Sequence, residues 1–247
     1  MKISNFKDPN SEENKLAQDI FLSGVLIAYK LKFISNLSQN FGLCLNNINR
    51  TKYSNQISSC PIFNRREKIW DYAIKTIGND KFIGLEFGVA WGYSSNYWTS
   101  RCKNLTEWHG FDTFAGLPER WRHYKRGHFS NQGIPPNLAI PELSWHIGLV
   151  EDTLDVESLI RPNRVERVAI LLDLDLFLPT YYVVAELAPH LKEGDIIYFD
   201  EPHDNDEGAV LHVFMRLNEG KFKISAISPC QILLEITSDN LRMPKLN

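Results

Sequence analysis

Four cysteines in 247 residues (Cys44, Cys60, Cys102 and Cys230), none in a C-x-x-C pair or at metal-ligand spacing, exclude a disulfide scaffold and a thiolate metal centre. They read as reduced thiols of a cytoplasmic protein. Positive charge is not in excess either: 27 Lys and Arg against 30 Asp and Glu give a formal charge of −3. A nucleic-acid partner, which needs a basic stripe, is excluded, and the short pairs Arg65-Arg66 and Lys125-Arg126 read as solvated faces. Long apolar runs are missing: Ile20–Tyr29 falls short of a bilayer span, so no membrane association is expected. Asp8, Glu12 and Glu13 stand where a secretory signal would carry basic residues, so the N-x-S/T triplets at Asn36, Asn49 and Asn104 carry no glycosylation meaning. What is present is a 43% hydrophobic share with six Trp, enough for a substantial core.

The pattern divides near residue 60. Residues 1–60 predict an amphipathic helix over roughly Glu13–Leu37 and then an Asn- and Ser-rich loop. Beyond Asn64 the pattern alternates regularly, and 61–247 read as one domain. Helices are predicted at Arg65–Ile77, Ser94–Cys102, Asp155–Ile160, Tyr181–Leu191 and Glu207–Asn218. Strands are predicted at Phe82–Phe87, Glu107–Asp112, Ser144–Ile147, Val168–Asp173, Asp195–Asp200, Phe222–Ile227 and Gln231–Ile236. Continuous apolar strands alternating with helices mean a parallel sheet covered on both faces. The Ser-Pro-Cys connection before the last strand is too short for a crossover, so the final pair is antiparallel. The expected architecture is a Rossmann-like α/β three-layer sandwich, a seven-stranded and mostly parallel sheet ending in an antiparallel hairpin. An insertion at 113–143, rich in Gly, Pro and aromatics, has the length of a lid; Trp121, His123, Tyr124, His128 and Phe129 are its candidate substrate contacts.

The run Gly84-Leu-Glu-Phe-Gly-Val-Ala-Trp-Gly-Tyr-Ser94 is the most informative feature. It reads as a buried strand ending in Glu86, a turn bracketed by Gly88 and Gly92, and a helix opening at Ser94. Glycine at such a turn lets a ligand approach the backbone, and in an open α/β sheet ligands bind in that crevice. A dinucleotide site would want G-x-G-x-x-G under a pyrophosphate. The G-x-x-x-G spacing here suits a nucleoside cofactor without phosphate, S-adenosylmethionine, whose amino group would meet Glu86. Asp112, 24 positions after Gly88, stands near the roughly 20-residue offset at which an acid grips a ribose diol, with Thr113 beside it. Asp152 is the candidate partner of the adenine amino group, or else a helix cap.

Four more acids gather at strand ends. Asp173 and Asp200 close two strands expected to be neighbours, Glu201 follows, and Asp175 shares the face of Asp173 if the chain stays extended. Carboxylates so close need a cation, and all-oxygen ligands suit Mg²⁺. That makes Asp173, Asp200 and Glu201 the candidate metal ligands and Asp175 the candidate base for a substrate hydroxyl, with His203 as the second choice. The competing reading is that these acids cap helices or pair with Arg and Lys.

In this order, Leu85-Glu-Phe-Gly-Val-Ala-Trp-Gly-Tyr-Ser94, Gly110-Phe-Asp-Thr-Phe-Ala-Gly-Leu-Pro-Glu119, Gly127-His-Phe-Ser130, Gly148-Leu-Val-Glu-Asp-Thr-Leu154, Leu172-Asp-Leu-Asp-Leu-Phe177 and Phe199-Asp-Glu201 resemble the macrocin O-methyltransferase-like proteins. The resemblance spans about residues 80–215. It implies a class I S-adenosylmethionine-dependent, Mg²⁺-assisted O-methyltransferase acting on a small-molecule acceptor, a sugar or glycosylated metabolite. It also implies the same metal acids and base, and an N-terminal extension used for homodimer contacts or as a lid. Leu172 and Pro202 depart from the usual His and aromatic residue beside the acids, which bears on acceptor identity. The alternatives are a catalytically retired S-adenosylmethionine-binding partner and an NAD-dependent oxidoreductase.

Overall fold

The computed structural model describes residues 50–202, 206–228 and 230–245. The expected helix over Glu13–Leu37, the apolar run at Ile20–Tyr29 and His203 lie outside them. Among the described residues, no helix is long and apolar enough to cross a membrane.

Seven strands form one sheet: β1 (Phe82–Phe87), β2 (Leu105–Asp112), β3 (Leu143–Ile147), β4 (Arg167–Leu172), β5 (Ile196–Phe199), β6 (Phe222–Ile227) and β7 (Ile232–Ile236). Their order is β3-β2-β1-β4-β5-β7-β6. The first five run parallel, and β7 inserts antiparallel between β5 and β6. This is the expected α/β sandwich with its closing hairpin. β1 is buried along its whole length, as a central strand covered on both faces must be.

Each face has its own core. On one, Ile69, Trp70 and Ala73 of α2 (Arg66–Ile77) and Trp98 of α3 (Tyr93–Thr99) meet Phe82, Trp108 and Leu171 of the sheet. Gly84 makes that packing possible, because a Cβ there would lie 2.1 Å from the Trp108 ring. On the other, Leu85, Ile170 and Phe199 meet α6 (Phe177–Leu187) and α7 (Glu207–Leu217). Between β3 and β4 lie two single turns, α4 (Val150–Thr153) and α5 (Val156–Leu159), in place of the one predicted helix. The helix predicted from Tyr181 begins at Phe177. Pro179 fits its first turn, where a backbone N–H has no intrahelical acceptor to lose.

The Asn- and Ser-rich segment predicted as loop is partly helix α1 (Arg50–Ser59). Tertiary contacts override its poor propensity. Tyr53 is buried against Phe222, its hydroxyl donates to the Met215 carbonyl (3.3 Å), and Gln56 accepts from the Ile224 amide (2.9 Å). The chain then pairs Phe63 N with the Ile227 carbonyl (2.9 Å) and Ile227 N with the Pro61 carbonyl (3.1 Å), which fixes where α2 begins.

Candidate functional site

The carboxyl ends of β1, β4 and β5 meet at one rim. Backbone bonds continue the sheet one residue past each strand: Gly88 N to Phe111 O (3.0 Å), Asp173 N to Phe87 O (2.9 Å) and Asp200 N to Leu172 O (2.9 Å). These bonds set Gly88, Asp173 and Asp200 in neighbouring positions. Above them opens a cavity of about 460 Å³, a size typical of small-ligand sites. Of the residues singled out in the sequence, Gly88, Ser94, Asp112, Thr113, Asp173, Asp175, Asp200 and Glu201 line it.

Glu86, Gly92 and Asp152 are not part of that lining. Glu86 is buried beneath the turn, where Ser94 Oγ and Ser95 Oγ donate to its carboxylate and Trp108 Nε1 donates at 3.0 Å. Burial pushes its carboxyl up to about 7. The acid therefore locks the start of α3 onto β1. Gly92 adopts φ +76°, and a Cβ there would meet Pro136 of the insertion at 2.7 Å. Asp152 is exposed on α4. Gly88, at φ +87°, leaves room for the chain itself: its Cβ would lie 1.8 Å from the Asp173 carbonyl oxygen.

Asp112 closes the turn from the opposite side. Its Oδ2 accepts from the amides of Val89 (2.9 Å) and Ala90 (2.8 Å), and its Oδ1 accepts from the Phe114 amide (2.7 Å). A carboxylate has about four acceptor positions, so capacity for one further hydroxyl remains. Phe111, beside Asp112 on β2, and Leu149, after the Gly148 amide that bonds the Asp112 carbonyl (3.1 Å), add apolar walls to the cavity. A slot with apolar walls, one carboxylate and a backbone turn along its side fits a nucleoside.

The acid end is organised by residues the sequence reading passed over. Asp175 was expected to follow Asp173 on an extended chain, but β4 ends at Leu172 and Asp175 has φ +64°, a conformation Asp tolerates better than most residues. Both line the cavity because Glu207, buried in the first turn of α7, captures the loop. Its Oε1 accepts from the amides of Leu174 (3.0 Å) and Asp175 (3.3 Å), and its Oε2 accepts from the Glu201 amide (3.0 Å). Burial, with Asp200, Asp175 and Glu201 nearby, raises the Glu207 carboxyl well above its usual range. Asp173 is raised likewise by desolvation and by Asp200, Asp175 and Glu207, with Arg66 opposing, although 39% of its side chain reaches solvent.

The expected metal centre is not what stands here. Arg66, the first residue of α2, places one guanidinium nitrogen 3.2 Å from Asp200 Oδ2 and the other 3.8 Å from Asp173 Oδ2. Tyr198 and Gln231 (3.4 Å) donate to Asp200 Oδ1. Glu201 pairs with Arg122 of the insertion at 3.0 Å, and Arg122 lies over the Trp121 ring. Among the described residues, no group of three or more His, Cys, Asp or Glu is arranged to hold a metal. The donor set as folded therefore does not fit Mg²⁺. The pairing with arginine, raised above as the competing reading of these acids, is the arrangement observed, and Arg66 is not the solvated residue the sequence suggested.

The insertion packs over this mouth by its own hydrogen bonds: Leu117 N to His128 O (2.9 Å), and Asn131 N and Gly133 N to Phe114 O (2.8 Å each). Trp121 stacks on Tyr124, which touches His128 and Phe129; Trp121, Tyr124 and Phe129 line the cavity, whereas His123 and His128 do not.

No protein-family model matches the chain, and no curated protein matches it in sequence. Solved structures do match. The calicheamicin methyltransferase CalS11 aligns over 95% of this chain and 96% of its own, with a TM-score of 0.53 and 17% identity. An apo structure of CalS11, described as a TDP-rhamnose 3'-O-methyltransferase, aligns over 69% and 80% (TM-score 0.48, 19% identity). A putative O-methyltransferase from Klebsiella pneumoniae aligns over 79% and 90% (TM-score 0.46, 10% identity). At 17% identity the first likeness is one of fold: the chain shares a Rossmann-like α/β architecture with that structure.

Proposed function

We propose that this chain is an S-adenosylmethionine-dependent O-methyltransferase whose acceptor is a hydroxyl of a sugar or glycosylated metabolite. One observation carries the reading: a single cavity joins a nucleoside-sized slot beside Asp112 to a rim of carboxylates at Asp173, Asp175 and Asp200. The motifs resembling the macrocin O-methyltransferase-like proteins and the fold shared with CalS11 support it.

S-Adenosylmethionine supplies a sulfonium methyl group for attack by an oxygen nucleophile. The chain's residues bind and aim. Asp112 offers its remaining acceptor position to a ribose hydroxyl, and Phe111 and Leu149 exclude water around the base. At the other end, Asp175 takes the acceptor's proton as the new C–O bond forms and the C–S bond breaks. Glu207 fixes the Asp175 backbone for that task. Much of the rate then comes from holding the hydroxyl in line with the methyl. Arg66 and Arg122 neutralise the acids that would otherwise hold a metal.

Calorimetry with S-adenosylhomocysteine tests the cofactor. Binding is expected; failure to bind it together with binding of NAD(H) would replace this proposal by the oxidoreductase reading. Screening nucleotide-sugars and glycosylated small molecules with a labelled methyl donor then separates an active transferase from a retired binding protein.

A further inference from the structure

The paired carboxylates at the rim need a positive charge, and the fold supplies one from its own chain. We propose that Arg66 is the resident counter-ion of this site, so that Asp173 and Asp200 are held for an acceptor without a divalent metal. That an acceptor binds here rests on the methyltransferase reading; the occupancy of the acid pair is measurable without it.

Three observations converge. First, Arg66 is delivered, not incidental: the Pro61–Phe63 segment is pinned to Ile227 on β6, and α2 opens directly afterwards. Tyr93 OH donates to Glu67 (2.9 Å) and Tyr97 OH to Asp71 (2.7 Å), so the first turns of α2 are tied to α3 as well. Second, the planar guanidinium forks between the strands, with one nitrogen facing each carboxylate. That is the geometry for which arginine differs from lysine, and its charge cannot be removed by pH. Third, every oxygen of the buried Asp200 has a partner: Oδ1 has Tyr198 and Gln231, and Oδ2 has Arg66. Glu201, the third acid, faces a second arginine.

A magnesium ion needs oxygens at about 2.0–2.1 Å in near-octahedral array. It would have to displace the guanidinium, since two cations in contact repel. Arginine and metal are therefore alternatives at one position, and removing the first should uncover a site for the second.

The test is a Mn²⁺ titration followed by electron paramagnetic resonance on the chelator-treated full chain, with folding checked by circular dichroism. Wild type should leave stoichiometric Mn²⁺ as the free ion. Arg66→Gln should bind one Mn²⁺ at least about tenfold more tightly, and Arg66→Gln/Asp200→Asn should lose it again. Arg66→Lys, which keeps the charge but not the fork, should bind Mn²⁺ less tightly than Arg66→Gln. Stoichiometric binding by the wild type that Asp173→Asn abolishes would overturn the proposal, because the metal would then displace Arg66. So would a folded Arg66→Gln that gains no site. If Arg66→Gln does not fold, the wild-type titration still decides. Failure to bind S-adenosylhomocysteine would sink the methyltransferase reading and leave the Mn²⁺ result standing.

Discussion

Asp195 and Asp200 flank the two ends of one four-residue strand, and each meets an arginine, yet the two arginines differ in exposure and in how they are shared. Asp195 is inaccessible to solvent, takes both prongs of Arg164, and accepts from the amides of Val168 and Lys192 at 2.8 Å. All its acceptor positions face the protein. Asp200 is nearly as buried, but its arginine is 39% exposed, shared with Asp173, and opens onto a cavity. The amino end of the strand spends its charge pair on holding the fold. The carboxyl end leaves its pair where a ligand can reach it, as open α/β sheets do at their crevice.

The comparison breaks most sharply at Asp195. Asp195→Asn leaves Arg164 buried without a counter-charge and should cost about 3–5 kcal/mol in urea unfolding; a loss below about 1 kcal/mol would erase the distinction. At the other end Asp175→Asn should lower methyl transfer roughly 10²-fold or more, while the urea midpoint and S-adenosylhomocysteine affinity stay close to wild type. Unchanged turnover would move the base elsewhere.

A smaller effect comes from Glu86. Its folded pKa of about 7 lies above the ordinary 4.5, so the folded state prefers the protonated acid. The associated stability is fully present below about 4.5 and is lost as pH rises through 7. Wild type should lose on the order of 2 kcal/mol across that window relative to Glu86→Gln; parallel pH profiles would reject the assignment. Smallest of all, Arg122→Ala at the half-exposed Glu201 pair should change stability by less than about 1 kcal/mol, and a larger loss would place Arg122 with Arg164.

The strand pattern, the glycine turn and the acids at the strand ends were legible because each depends on near neighbours in sequence. Periodicity placed β1, β4 and β5, and the acids followed. Arg66, Arg122, Glu207 and Tyr198 were not legible. Their roles arise from distant segments meeting at the rim: Arg66 reaches Asp200 only because Phe63 is anchored on β6, and Glu207 reaches Asp175 only because α7 packs behind the loop. Helix α1 was missed for the same reason, since its support comes from Tyr53 and Gln56 bonding to partners about 160 residues later, at Met215 and Ile224. One sequence signal was available: Glu207 is an acid in the first turn of a predicted helix soon after the acidic pair, a position suited to capturing amides.

The place of β7 sets an order of assembly. A ribosome delivers β6 first, yet β6 reaches β5 only through β7, and Gln231, at the entrance to β7, helps hold Asp200. During synthesis β1 to β5 can associate while the rim stays incomplete. A nascent or truncated chain lacking β7 would therefore leave Asp200 without Gln231, so that the acid rim is completed only once translation has passed this hairpin.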